Sequence, residues 1–183
     1  AKKAATKPAA TTTKTPAKKT SSSSSDKTFH LNVSEYRAAF LSYVNAQRAK
    51  RGIAPLTEDN DMDTLAAYRA NQLLTNNSHW DSKGNFIATG VAKQLGVKAP
   101  VSEDITSQYV GDGSWSDLTQ AEINTSADNA KTDAYQYIYE DQDSNNGHRD
   151  SLLNKNYTKI GIGVVTAPAD SNGVSTYSCE DLY

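Results

Sequence analysis

Residues 147–153, GHRDSLL, and residues 158–164, TKIGIGV, contain the features that decide the fold. The first stretch is a short turn that ends in two leucines. The second opens an apolar run, and a further run over 174–182 follows the turn-rich stretch 169–173, ADSNG. Two such runs on either side of a turn sequence predict a terminal β-hairpin.

Upstream of this hairpin, apolar residues recur at helical spacing. In the first segment Tyr36, Phe40, Tyr43 and Val44 follow the pattern i, i+4, i+7, i+8, and Ser34 is the expected N-cap. Alanines and Tyr residues before the polar loop 141–147 show similar spacing. We therefore predict three helices, near residues 34–50, 61–76 and 126–140. Helices followed by terminal strands indicate an α+β domain in which the helices cover an antiparallel sheet.

Composition divides the chain of 183 residues into two parts. Residues 1–27 are almost entirely Ala, Lys, Thr, Ser and Pro, and they carry seven Lys and one Asp, a net charge of +6. Such a segment lacks the apolar side chains needed for a core, so we predict a disordered linker. The remaining residues, 28–183, carry a net charge of −8 and form the predicted domain. A lysine-rich arm on an acidic body suits attachment to an anionic surface, or a passive spacer.

Three classes of protein are disfavoured by the same composition. No apolar run approaches the roughly 20 residues that a membrane-spanning helix needs. The single Cys179 excludes a scaffold of internal disulfides. Binding to nucleic acid is not expected, since the arm has neither Arg nor aromatic residues and the body is acidic.

Several sequence boxes, in order along the chain, carry a family resemblance. These are Asn45 with Arg48, Ser78-His79, Ser102-Glu103-Asp104-Ile105, and the GHR…LL…TKIGIGV stretch. Together they resemble the bacterial members of the CAP superfamily, which includes cysteine-rich secretory proteins, antigen 5 and plant pathogenesis-related proteins. The resemblance spans roughly residues 30–183 and implies a three-layer α-β-α sandwich around a mainly antiparallel central sheet.

The resemblance also implies a central cleft in which two histidines and two acidic residues can bind a divalent metal such as zinc. The matching residues here are His79, His148 and Glu103. Glu140 is the nearest candidate for the second acid and for a catalytic role, with Asp133 and Asp141 behind it. The sequence departs from the family where Val44 replaces a histidine and where the box at 102–105 lacks its Gly and Asn.

Metal binding by these residues can also be judged from side-chain chemistry alone, apart from the family resemblance. Two imidazoles, one carboxylate and an open position for water form the minimum set of a catalytic zinc site. His79 and His148, however, are far apart in the chain and follow no His-x-x-x-His spacing. From the residues alone, solvated or supporting histidines are the simpler interpretation, and the metal site depends on the resemblance.

Other candidate sites have simpler explanations. Cys179 lies in a predicted strand, where it is expected to pack as a small hydrophobe. No Gly-x-Ser-x-Gly elbow is present, so a serine nucleophile is disfavoured. The acidic stretch 141–152 lacks the Gly and Glu of a calcium loop and is interpreted as a polar turn. Trp80 and Trp115 are expected in the core or at a groove rim.

Two classes of function remain. The first is a secreted, cell-surface-associated binding module with a His/acid cleft, held near a cell-wall or envelope polymer by the lysine-rich arm, with an extracellular protein or a small molecule as other possible ligands. The second is a metal-dependent hydrolase of peptides or wall polymers that uses a zinc-activated water. We favour the first, because fold resemblance implies a cleft more firmly than a reaction. With a single cysteine, the chain resembles extracellular proteins of Gram-positive bacteria. We also expect a chain already processed at its N-terminus. Oligomeric state is not predicted.

Overall fold

The computed structural model describes residues 29–111, 125–167 and 173–183. The predicted linker over residues 1–27 and Trp115 lie outside the described residues. The described part contains five α-helices and four β-strands. In chain order these are α1 (Val33–Ala49), β1 (Thr57–Glu58), α2 (Asn60–Leu73), α3 (Ile87–Leu95), β2 (Ser102–Gly111), α4 (Ser126–Tyr139), α5 (Gly147–Leu152), β3 (Lys159–Thr166) and β4 (Gly173–Leu182).

The four strands form one sheet in the order β1-β3-β4-β2. The predicted terminal hairpin is confirmed, since β3 and β4 pair antiparallel from Ile160↔Leu182 to Thr166↔Thr176. Strand β2 pairs antiparallel with β4, whereas the two-residue β1 pairs parallel with β3. The described sheet is therefore mixed but mainly antiparallel, and β2 is one of its edge strands.

Helices cover both faces of this sheet. On one face Gly161 and Gly163 of β3 lie directly against the α2 backbone at Met62 and Ala66, where a Cβ atom would collide. On the other face Ile160, Ile162 and Val164 pack in a core cluster with residues of α1 and α4, including Phe40 and Ile138. Alternate residues of a strand point to opposite faces, which explains the division. The predicted three-layer α-β-α sandwich is confirmed.

The helix predictions were right in position and differ at their ends. Helix α1 begins one residue earlier than predicted, because Asn32, and not Ser34, is the N-cap and accepts a hydrogen bond from the Glu35 backbone N–H. Helix α2 ends at Leu73 rather than 76. Of the stretch 141–152, predicted as a polar turn, Gln142–Ser144 form a 3₁₀ turn, whereas Gly147–Leu152 form the helix α5, so the prediction of a turn was wrong there. No helix among the described residues is long and apolar enough to cross a membrane.

Asn45 and Arg48, two residues of the family resemblance, hold loops rather than line a cleft. The Asn45 side chain donates to the Leu56 carbonyl at 2.9 Å and accepts from the Leu56 N–H at 2.8 Å. The fully buried Arg48 donates to four backbone carbonyls, those of Ala54, Leu152, Asn154 and Tyr157. The first helix is thereby tied to the chain around α5.

Candidate functional site

His79 lies in a turn after α2 whose backbone is fixed by hydrogen bonds. Ser78 Oγ accepts from the Trp80 N–H at 3.0 Å, and the His79 carbonyl accepts from the Ile87 N–H at 2.9 Å. An isolated antiparallel bridge pairs Trp80 with Phe86. These contacts aim the imidazole at β2, where His79 Nδ1 lies 2.9 Å from Glu103 Oε1.

Glu103 is a buried carboxylate held by a buried guanidinium. Arg69 of α2 donates from Nε to Glu103 Oε2 at 2.6 Å and from Nη2 to Oε1 at 3.0 Å. Both side chains are fully buried. Burial alone would raise the pKa of Glu103, but the hydrogen bonds from His79 and Arg69 reverse this and lower it below its ordinary value. Glu103 is therefore an ionised, fully engaged carboxylate.

A second His/acid pair is built around α5. His148 Nδ1 lies 2.6 Å from Asp141 Oδ1, and the other oxygen of Asp141 accepts from the Arg149 backbone N–H at 3.0 Å. The imidazole also packs against the Tyr137 ring, with centroids 4.5 Å apart. Asp141 precedes the 3₁₀ turn and His148 opens α5, so this short connection sets the geometry of the pair.

Both pairs lie at the beginning of the edge strand β2. Glu103 faces α2, and the neighbouring Ser102 faces the α1/α4 side, where its hydroxyl accepts a 2.9 Å hydrogen bond from Ser151 of α5. The two imidazoles are thus attached to opposite faces at the same end of one strand. The side chain of His79 is 30% exposed and that of His148 is 18% exposed, so both rings are partly accessible to solvent, whereas the carboxylates that hold them are buried.

The structure brings together His79 and Glu103 of the sequence-derived site, and it places His148 beside Asp141. Glu140, the first candidate for the second acid, is exposed and caps the C-terminal end of α4. Asp133 is buried on the sheet side of α4 and accepts a hydrogen bond from the Tyr36 hydroxyl. Among these candidates Asp141 is the one that contacts a site histidine.

Three functional neighbours were not found by sequence reasoning. They are Arg69, Cys179 and Asp181. Cys179 was predicted only as a core residue, without its contact to Glu103, and Asp181 pairs with Glu103 across the β2–β4 ladder. Arg69 could have been noticed in the sequence, since it lies among the apolar residues Ala66, Ala70 and Leu73 of α2 and a charge on a buried face needs a partner. No feature of the sequence indicates the contact between Cys179 and Glu103, because this contact depends on the register of β2 and β4.

The hydrogen-bond partners determine how each imidazole is protonated. An ionised carboxylate only accepts hydrogen bonds, so the Nδ1 atoms of His79 and His148 must carry the protons that Glu103 and Asp141 accept. In the neutral rings this leaves both Nε2 atoms as unprotonated acceptors. Carboxylate-oriented imidazoles of this kind are typical of histidines that bind metals or hydrogen-bond donors.

A family model described as "Cysteine-rich secretory protein family", CAP, matches residues 41–180, which is more than half of the chain. The chain belongs to this family. The match includes all of α2, β2, α4, α5 and β3, and therefore both His/acid pairs of the CAP domain. A search of curated proteins gave no match.

Solved structures of CAP proteins resemble this domain at low sequence identity. The CAP domain of enterococcal PrgA matches with a TM-score of 0.54 and 16% identity, covering 84% of this chain and 63% of that one. Na-ASP-1 matches with a TM-score of 0.50 and 14% identity, covering 79% and 38%. NaASP2 with Zn²⁺ matches with a TM-score of 0.49 and 13% identity, covering 80% and 78%. At these identities the likeness to the PrgA domain and to Na-ASP-1 establishes the fold alone.

Proposed function

We propose that this CAP domain is a secreted, cell-surface-associated binding module whose ligand contacts the imidazoles of His79 and His148. The observation that carries the proposal is the pair of carboxylate-held rings at the beginning of β2. Each ring has its Nδ1 fixed by a buried acid and leaves its Nε2 to an incoming group. Such a pair is preorganised, so a ligand loses little binding energy to ordering side chains.

The state of the acids favours binding over hydrolysis. A general base works best when its pKa lies near the working pH, whereas Arg69 and His79 keep the pKa of Glu103 low. Asp141 is likewise occupied, by His148 and by the Arg149 N–H. Glu140, the remaining candidate for activating water, is exposed at the end of its helix. These acids are therefore better placed to orient the histidines for a ligand than to act as general bases.

A metal-dependent hydrolase remains the second candidate, because the rings suit a divalent cation. Zinc accepts neutral imidazole nitrogens, and the two Nε2 atoms are available. Glu103 Oε1, the oxygen that faces His79, already accepts from His79 and Arg69. For a zinc ion at the histidines, Glu103 and Asp141 thus fit as groups that orient the rings rather than as ligands. A bound zinc would supply Lewis acidity and an acidic water.

The surface-associated part of the proposal rests on family and charge. The family description names secretory proteins, and residues 1–27 carry +6 beside a domain of −8. Dispersed lysines attract anionic wall or envelope polymers of a Gram-positive bacterium without a folded site. Deleting residues 1–27 should abolish salt-sensitive retention on such a polymer. Retention that survives the deletion or high salt would argue against this role for the lysine-rich arm.

The site itself is tested by co-sedimentation with insoluble Gram-positive cell wall, together with an assay for soluble wall fragments. We expect the chain to bind the wall without releasing fragments, and His79→Ala/His148→Ala to weaken binding while its circular dichroism is unchanged. Lys93→Ala, an exposed change on α3, is the matched control. Fragment release that stops on chelation and in His148→Ala would establish the hydrolase instead.

A further inference from the structure

Glu103, Cys179 and Asp181 bring three potential metal-ligand atoms together under α2. One oxygen or sulfur atom from each lies within 4.8 Å of the others, and all three side chains are buried. The Cys179 Sγ atom is 3.5 Å from Glu103 Oε2 and 3.7 Å from Asp181 Oδ2. Tetrahedral zinc, with bonds of about 2.3 Å to sulfur and about 2.0 Å to oxygen, separates these atoms by about 3.5 Å. The two sulfur–oxygen distances therefore match those around a zinc ion.

One oxygen in this cluster has no hydrogen-bond partner. Asp181 is 0% exposed, and its Oδ1 atom lies without a partner among the described residues. A buried polar atom without a partner costs free energy, and natural folds rarely leave one without a role. The same carboxyl group accepts from the Cys179 thiol through Oδ2, so it points into the cluster. A cation between these groups would engage the carboxyl.

The charges in the cluster balance when a divalent cation is bound. Arg69 neutralises Glu103 through two hydrogen bonds. With zinc, one thiolate and two carboxylates offset Arg69 and the ion. The two protons that Cys179 and Asp181 lose leave to solvent as the metal enters.

The direction of each Glu103 oxygen separates this cluster from the histidine pair. Oε1 accepts from His79 and Arg69 Nη2, whereas Oε2 accepts from Arg69 Nε and from the Cys179 thiol, whose proton a metal ion would replace. Thiolate favours zinc over magnesium or calcium, which prefer oxygen ligands alone.

We propose that Glu103, Cys179 and Asp181 form a zinc site, separate from the His79/His148 pair, with a thiolate ligand. Cys179 then is a ligand as well as a core residue packed against Ala66 and Ala70. This site stands on geometry, burial and charge balance, and it does not depend on what the histidines bind.

Cobalt(II) titration of the reduced full-length chain tests the proposal, because a cobalt–thiolate bond gives an intense near-ultraviolet charge-transfer band that imidazole and carboxylate ligands do not give. Cys179 is the single cysteine, so the band can come from no other residue. We expect the band to saturate at one equivalent and to disappear when zinc is added. It should persist in His79→Ala/His148→Ala and vanish in Cys179→Ser.

Asp181→Asn provides a second variant that keeps the thiol. It should retain the band but weaken cobalt binding by more than about tenfold, since a charged ligand is lost. Absence of the band in the wild-type chain would overturn the proposal, as would equal cobalt affinity in the urea-unfolded chain or an unchanged affinity in Asp181→Asn. Loss of the band in the double histidine variant, with its fold intact, would also overturn it.

Discussion

At the scale of single residues, Arg48 stabilises the domain through its contacts with the main chain. Its guanidinium is fully buried and donates to the carbonyls of Ala54, Leu152, Asn154 and Tyr157 at 2.7–3.0 Å. Hydrogen bonds from a charged donor stabilise more than neutral ones, and removing the donor takes this partner from one buried and three partly buried hydrogen bonds. The planar fork of arginine suits several acceptors at once.

We predict that Arg48→Ala lowers the free energy of unfolding by about 3–5 kcal/mol. Arg48→Lys should recover only a small part of the loss, because an ammonium group cannot reach all these carbonyls. Urea denaturation measures both variants. Arg51→Ala, an exposed arginine near the end of the same helix, is the control and should change stability by less than about 1 kcal/mol. A similar loss of stability in Arg48→Ala and Arg51→Ala would contradict a stabilising role for the four hydrogen bonds of Arg48.

The Arg69–Glu103 pair gives a second prediction at this scale. Removing one partner of a buried ion pair leaves an uncompensated charge, so Arg69→Met should destabilise the domain by about 3–5 kcal/mol. Adding Glu103→Gln to Arg69→Met removes that charge and should recover part of the loss. A thermal-denaturation cycle of the two single variants and the double variant measures the coupling. Additive effects would contradict a direct pairing.

Sequence reasoning at this scale identified His79, His148 and Glu103 from motif order and could not predict their partners. Which acid contacts His148 depends on the 3₁₀ turn after α4, where a shift of one residue exchanges Glu140 for Asp141. The Ser34 cap was wrong for a similar reason, since Asn32 provides an equally good side-chain acceptor two residues earlier.

At the scale of elements, the close packing of β3 on α2 places His79 and Arg69 over the sheet. Gly161 and Gly163 let the α2 backbone approach β3, and any Cβ there would collide with it. The two glycines of the TKIGIGV stretch therefore have a packing role. A wider gap would move the end of α2, and with it the turn that carries His79, away from Glu103.

We predict that Gly163→Ala destabilises the domain by about 1–3 kcal/mol or more, because a well-packed core accepts an extra methyl group only by shifting its backbone. Gly90→Ala is the matched control, since its Cβ would meet no atom within 4 Å and the residue lies inside α3. That change should be neutral or stabilising by up to about 1 kcal/mol. Chemical denaturation of both variants is the measurement, and equal stability would contradict the close approach.

The amphipathic helices and the terminal hairpin were predictable because their apolar residues repeat at fixed spacing. Helix α3 and strand β2 were not predicted. Helix α3 carries Ile87, Val91 and Leu95 at helical spacing but has only nine residues, and β2 begins with Ser, Glu and Asp, which hides the alternation of a half-buried strand. Strand β2 nevertheless supplies Glu103. Its first residues are polar because they hydrogen-bond other polar side chains, as Glu103 does with Arg69 and Ser102 does with Ser151.

At the scale of the whole molecule, buried carboxyl groups should set how stability depends on pH. Burial raises the pKa of Asp133 to about 7, partly opposed by the hydrogen bond from Tyr36. Burial also raises the pKa values of Asp104, Glu180 and Asp181. An acid whose folded-state pKa is raised stabilises the fold fully below its unfolded value, near 4, and loses that contribution as pH rises to the folded value.

The domain should therefore be more stable near pH 5 than near pH 8. Asp133→Asn keeps an acceptor for the Tyr36 hydroxyl but cannot ionise, so it should reduce this difference by on the order of 2 kcal/mol. Exposed Asp143→Asn is the control. Urea midpoints across this pH range provide the measurement. An unchanged pH dependence in Asp133→Asn would show that Asp133 ionises as freely in the folded state as in the unfolded chain.

The three-layer architecture was predictable from the sequence through the order of the family boxes, whereas the cleft chemistry was not. The boxes are spread over about a hundred residues, and only the folded sheet places two His/acid pairs at one end of β2. Motif order specifies which residues are present, and strand register specifies which of them touch.

In the proposed binding site, Glu103 and Asp141 keep a proton on Nδ1 of His79 and His148 and leave Nε2 open to a ligand. Long-range ¹H–¹⁵N NMR of the imidazoles at about pH 7.5, where free imidazole is mostly neutral, tests it directly. His30, the remaining histidine and exposed, serves as internal reference. We predict a proton on Nδ1 of both His79 and His148. A ring that carries its proton on Nε2 and none on Nδ1 would contradict the carboxylate-held pairs, and with them the proposed binding site.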